Sequence, residues 1–121
     1  MDEHFSPAPI KPRVPFSVFD TLDIRVGTVN RVEEVPHSAK LMRLIVDFGD
    51  HTRRILAGIK KERANPREIE GKQALFVLNL EPRSMAGEIS EGMLFDLGYA
   101  DGLLPALAMP ERPVPNGTRA G

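Results

Sequence analysis

Apolar and polar residues alternate with a period of two through most of this chain, the pattern of strands with one buried face. The clearest run sets Met42, Leu44, Val46 and Phe48 against Leu41, Arg43, Ile45 and Asp47, after which Gly49-Asp50 turns the chain back. Thr52 to Ala57 then reads as the hairpin partner. Upstream, from Asp23, Ile24 and Val26 are expected inward and Asp23 and Arg25 outward, with Gly27 marking a bulge or sharp bend before the alternation resumes at Thr28 or Val29. Gln73 to Leu80 puts Ala74, Phe76, Leu78 and Leu80 on one face, a loop is expected from Glu81 to Glu88, and a last apolar run covers Met93 to Leu97.

Two stretches break the alternation. Ser17 to Thr21 predicts a helical turn capped by Ser17, with Phe16, Phe19 and Leu22 on one side plugging an end of the core. Asn65-Pro66-Arg67-Glu68-Ile69 predicts a short helix with Asn65 as cap and Pro66 in its first position. Five strands with one short helix between the third and fourth is the order of an OB-fold, a partly open five-stranded barrel. The expected class is therefore all-β with a short helix, with N- and C-terminal extensions. Prolines at positions 7, 9, 12 and 15 make residues 1–15 a flexible arm, and the domain is expected to run from 16 to 121.

Composition narrows the chemistry. There is no cysteine, so disulfides, thiolate nucleophiles and cysteine metal ligands are excluded. The N-terminus lacks a basic start followed by an apolar run, and no window approaches the roughly 18 apolar residues of a membrane helix, so a cytoplasmic chain with no membrane partner is expected. His4, His37 and His51 have no metal-site spacing. Ser90 lacks the glycine two positions before it that a nucleophile elbow requires, and Gly71-Lys72 lacks the flanking residues of a phosphate loop. No catalytic residue and no cofactor is expected.

Sixteen Lys and Arg against seventeen Asp and Glu leave a net charge of −1. The distribution is uneven. Seven bases against three acids lie between Arg53 and Lys72, whereas residues 86–101 hold four acids and no base. A local positive field is compatible with a nearly neutral total.

Three stretches resemble the tRNA-binding domain family, found at the C-terminus of many methionyl-tRNA synthetases, in free-standing tRNA-binding proteins and in CsaA-type export chaperones. They are Asp23-Ile24-Arg25-Val26-Gly27, Pro36 through Lys40-Leu41, and Asn79-Leu80-Glu81-Pro82-Arg83 running on to Ser90 and Gly92-Met93. The resemblance implies an OB-fold homodimer, paired partly through its terminal segments, that binds the shape of tRNA or other structured RNA near the elbow without catalysis. Synthetase association is a further implication. On this reading Arg83 forks onto phosphate, Asn79 and Ser90 bond sugar or base, and Met93 offers an apolar contact or joins the core. Lys40 stands at the family's basic position, with Arg53, Arg54, Lys60 and Lys61 widening the track. Arg25 is expected to pair with Asp23 or Asp47. Glu81 and Ser84 stand where lysines are usual, and Ala39 where an acid is; the two lost cations imply either weak tRNA binding or a different ligand. The alternative is a CsaA-like chaperone for unfolded or presecretory polypeptide, using apolar contacts such as Leu103, Leu104 and Leu107; a purely structural assembly domain is a third reading.

Overall fold

The computed structural model describes residues 5–121; residues 1–4 of the expected arm lie outside the described residues, and 5–15 have no regular secondary structure and are exposed throughout. A one-turn helix α1 (Phe16–Phe19) leads into β1 (Ile24–Glu34), β2 (Met42–Asp47), β3 (Thr52–Ala57), a 3₁₀ turn at Pro66–Ile69 and β4 (Gln73–Val77). There follow β5 (Arg83–Met85), β6 (Glu88–Ser90), β7 (Met93–Leu94), β8 (Asp96–Leu97), a 3₁₀ turn at Tyr99–Asp101 and β9 (Ala106–Leu107). The main sheet is antiparallel in the order β3-β2-β1-β4-β7, and it curls into the half-barrel of an OB-type fold.

The curl depends on β1, whose first half pairs with β4 and whose second half pairs with β2. The bulge lies at Asn30, where the register slips between Val29 and Arg31, and not at Gly27. Gly27 answers a different demand. It faces Ala74 across the ladder, and a Cβ there would stand 2.6 Å from Val46 Cγ1 and 2.7 Å from Phe48 Cε1. Across the ladder Arg25 pairs with Phe76 and Gly27 with Ala74, both fully buried partners. Ile24 and Val26 are buried as expected, on the opposite face and outside the main core cluster. Along this stretch the C-terminal segment is β1's second neighbour: Val26 N–H donates to Thr118 O (2.9 Å), and Gly117 and Ala120 N–H donate to Val26 and Ile24 O.

Asn65 caps its turn as expected, its Oδ1 accepting from Arg67 N–H at 3.2 Å, and this turn delivers fully buried Ile69 to the core. The first helix departs from expectation. Its N-cap is Pro15, without a side-chain bond, and Phe16 is 73% exposed with Phe19 and Leu22 also open, so α1 plugs nothing within this chain. The expected loop after Pro82 is instead the hairpin β5–β6, turned by Ala86 (φ 51°) and Gly87 (φ 80°), the pair of positive φ values that suits a two-residue hairpin.

The barrel closes through side chains. Ser90 is 3% exposed, and its Oγ accepts from Leu56 N–H (3.0 Å) and donates to Gly92 O (2.8 Å). Next to it Glu91 N–H donates to Arg54 O, and Glu91 Oε1 accepts from Arg54 N–H, both at 2.9 Å. These bonds occupy β3's outer edge, which would otherwise present unpaired backbone groups.

Candidate nucleic-acid interface

On the outer face of β1, β2 and β3 the register sets Arg31 opposite Ile45 and Ile45 opposite Arg54. With neighbouring strands about 4.8 Å apart, the two arginines flank a half-buried isoleucine across about 10 Å. Arg54 is exposed and has no carboxylate of the described residues within ion-pair reach; Arg31, 65% exposed, meets Glu33 loosely at 3.7 Å. This is the sheet face that OB-folds use for oligonucleotides, bounded by the loop after the first strand and the loop before the last.

Each boundary contributes a cation. Lys40 is exposed in the β1–β2 loop, which is fixed by Lys60 N–H donating to Lys40 O at 3.1 Å and by Ser38 Oγ accepting from the N–H of Lys40 and Leu41. Arg83 opens β5 opposite Ser90 and is exposed on the hairpin that lies against β3. Lys61, also exposed, follows Lys60, the residue that makes that loop contact.

The hairpin is anchored by charge. Arg43, on the outer face of β2, donates from Nε to Glu88 Oε1 at 2.7 Å and from Nη1 to Glu33 at 3.2 Å. This fork holds the Glu88 carboxyl below the usual carboxylate range and Arg43 above its own. Because the Glu88 pKa is depressed on folding, its contribution is complete above the unfolded value of about 4.3 and disappears as pH falls through the folded value. Urea midpoints measured against pH are expected to stay level from neutrality to about pH 5 and then fall. Glu88→Gln should remove part of that acid-side fall.

Several expected contact residues instead hold the fold together. Asn79 Oδ1 accepts from Asp23 N–H (2.7 Å) and its Nδ2 donates to Thr21 O (2.6 Å), clamping the chain as it enters β1. Ser90 spends its hydroxyl on the barrel seam. Arg53, next to Arg54 but on the other side of β3, donates from Nη1 to Leu78 O (2.8 Å) and Glu91 O (3.0 Å) and from Nε to His51 Nε2 (2.9 Å). Lys60 Nζ pairs with Glu34 at 2.6 Å and donates to Ser38 O. Arg25 pairs with Asp23 at 2.8 Å, so the Asp-Ile-Arg motif is an ion pair. Met93 is 45% exposed, opposite Val77 and off the core side. Of the seven bases between Arg53 and Lys72, only Lys60 and Arg63 have an ion-pair partner among the described residues.

Arg31 and Ile45 were missed in the sequence. Alternation shows that each faces outward, but neither residue reveals which strand lies next to it, and Glu33 and Glu34 make Arg31 look like part of a solvated run.

The family model Putative tRNA binding domain matches residues 24–119. The methionine–tRNA ligase of Bacteroides fragilis is 40% identical over 117 residues, which cover 97% of this chain and 17% of that ligase. The chain therefore spans about a sixth of the length of the curated relative it matches. Among solved structures, the MetRS related protein from Pyrococcus horikoshii superposes with a TM-score of 0.83 at 35% identity, covering 92% of this chain and 100% of the other. The chaperone CsaA from Bacillus anthracis gives 0.75 at 32% identity, covering 91% and 100%.

Proposed function

This chain belongs to the tRNA-binding domain family, and from that premise we propose that it binds tRNA, without catalysis of its own, on the outer face of β1, β2 and β3. The observation that carries the reading is the Arg31–Ile45–Arg54 row, set between Lys40 on one loop and Arg83 on an anchored hairpin. Guanidinium groups on this row meet phosphates, and Ile45 meets a sugar or base face. Glu81, just before β5, and Ser84, within it, are both exposed beside Arg83 and keep the affinity modest.

The chain works in the cytoplasm beside a methionine–tRNA ligase or as part of one, lending it RNA affinity. Residues 1–15 form an arm and 16–121 the binding domain. A second copy of the chain covers the exposed Phe16, Phe19 and Leu22 of the α1 region, apolar side chains that no element of one copy buries.

Anisotropy of a labelled mixed tRNA pool, titrated with the chain at 50 and 200 mM salt, tests the reading. If Arg31, Lys40, Arg54 and Arg83 each meet a phosphate, the salt slope is about −3.6 and the affinity falls about a hundredfold between the two conditions. Absence of binding at the lower salt would refute the reading. Salt-insensitive capture of unfolded polypeptide in its place would favour the chaperone alternative, which Leu97, Tyr99 and Leu104, exposed around β8 and β9, would serve.

A further inference from the structure

We propose that the groove beside this face receives one unpaired base of the bound RNA, an inference that rests on the RNA reading above and names what in the RNA is selected. The groove, about 410 Å³, runs between the start of β3 and the loop that follows β4. Leu78, Leu80 and Pro82 form its apolar wall, and Thr52, Arg53 and Glu91 form its polar rim. Leu80 is 42% exposed, an aliphatic side chain with one side open, as the contact surface for a flat apolar face would be.

The rim is pre-set to bond the edge of such a ligand. Three of the five N–H groups of the Arg53 guanidinium are engaged, by Leu78 O, Glu91 O and His51 Nε2, which fixes the plane and leaves the two on Nη2 without an acceptor among the described residues. Glu91 uses Oε1 for Arg54 N–H, and its second carboxylate oxygen is left to accept. Thr52 adds a hydroxyl able to do either. Every nucleobase edge carries at least one donor and one acceptor, so this rim suits any of the four. In a duplex those edges are taken by the pairing partner and the faces by stacking. The groove therefore admits a splayed-out base and excludes a paired one.

The flanking charges fit the same occupant. Arg54 adjoins Arg53, Arg83 adjoins Pro82, and both are exposed with no ion-pair partner among the described residues. Each directly follows a groove-lining residue in the chain without lining the groove itself, so both serve the RNA backbone outside it rather than the inserted base. A small ligand alone would leave both cations unused.

The test compares a fully paired RNA duplex with the same duplex carrying one bulged adenosine, each titrated with the full chain, with Leu80→Ser and with Arg54→Ala. Wild type is expected to bind the bulged RNA about tenfold more tightly, the contribution of one inserted base. Leu80→Ser, a change at an exposed position whose fold is checked by circular dichroism, should bind both RNAs equally. Arg54→Ala should weaken both and preserve their ratio. Equal binding of the two RNAs by wild type, or a preference that survives Leu80→Ser, overturns the base site. A parallel titration with tRNA separates the failures: tRNA bound with no bulge preference overturns the base site alone, and no tRNA binding overturns the RNA reading as well.

Discussion

Gly27→Ala is expected to lower the thermal midpoint by about 5–15 °C, the equivalent of roughly 1–3 kcal/mol of overpacking in a domain of this size. The added methyl would lie within 3 Å of Val46 and Phe48 side-chain atoms. Neither neighbour can give way easily, since Val46 is fully buried and Phe48 stands edge-on to Phe76 with centroids 5.5 Å apart. The sign is informative. In an open strand the same change would stabilise by reducing the freedom of the unfolded chain, by roughly 0.4–1 kcal/mol. Gly58→Ala supplies the control, because a Cβ there meets no atom within 4 Å and the midpoint should stay level or rise. A Gly27→Ala protein as stable as the parent would contradict the close approach on which the curl of β1 rests.

The second large effect concerns RNA. Arg54→Ala together with Arg83→Ala should weaken tRNA binding about a hundredfold at low salt and reduce the salt slope by roughly 1.8, close to one counterion for each lost phosphate contact. The unfolding midpoint should hardly move, because both side chains are exposed and unpaired among the described residues. Arg53→Ala should behave in the opposite way. It removes two bonds to main-chain carbonyls across the barrel's end, so stability falls, and the preference for an unpaired base falls with it because the groove loses part of its polar rim. Equal loss of affinity with an unchanged slope in the Arg54/Arg83 double variant would mean that the two arginines do not meet phosphate.

The contrast between Arg53 and Arg54 marks the limit of what the sequence discloses. The β2–β3 hairpin, the Asn65 cap and the order of strands follow from local signals: alternation, a Gly-Asp turn, and Pro in the first position of a turn. A strand pattern also says that neighbours point to opposite faces. It does not say which face is left open when the sheet curls. Arg53 faced the seam and became a clamp, while Arg54 faced solvent.

Asn79 and Ser90 show a related limit. A polar residue in a loop rich in proline and glycine resembles a ligand contact, yet a loop that closes a barrel must first satisfy the backbone groups it buries. Both side chains serve that need, Asn79 at Thr21 and Asp23 and Ser90 at Leu56 and Gly92. Ile24 and Val26 are buried as the alternation implies, but both faces of β1 are covered in its first half, so alternation alone does not place them outside the main cluster. The candidate RNA face was half legible: Lys40 and Arg83 were carried by the family motifs, but Arg31 and Ile45 become its centre through pairing across three strands.

The most direct measurement of the central claim is an amide NMR map of the isotope-labelled chain as unlabelled tRNA is added. The expected result is selective broadening or shift at Arg31, Lys40, Ile45, Arg54 and Arg83, with the amides of Asp20–Leu22 and Gly98–Leu104 unaffected. Changes confined to those two segments, with the outer face of β1, β2 and β3 silent, would contradict it.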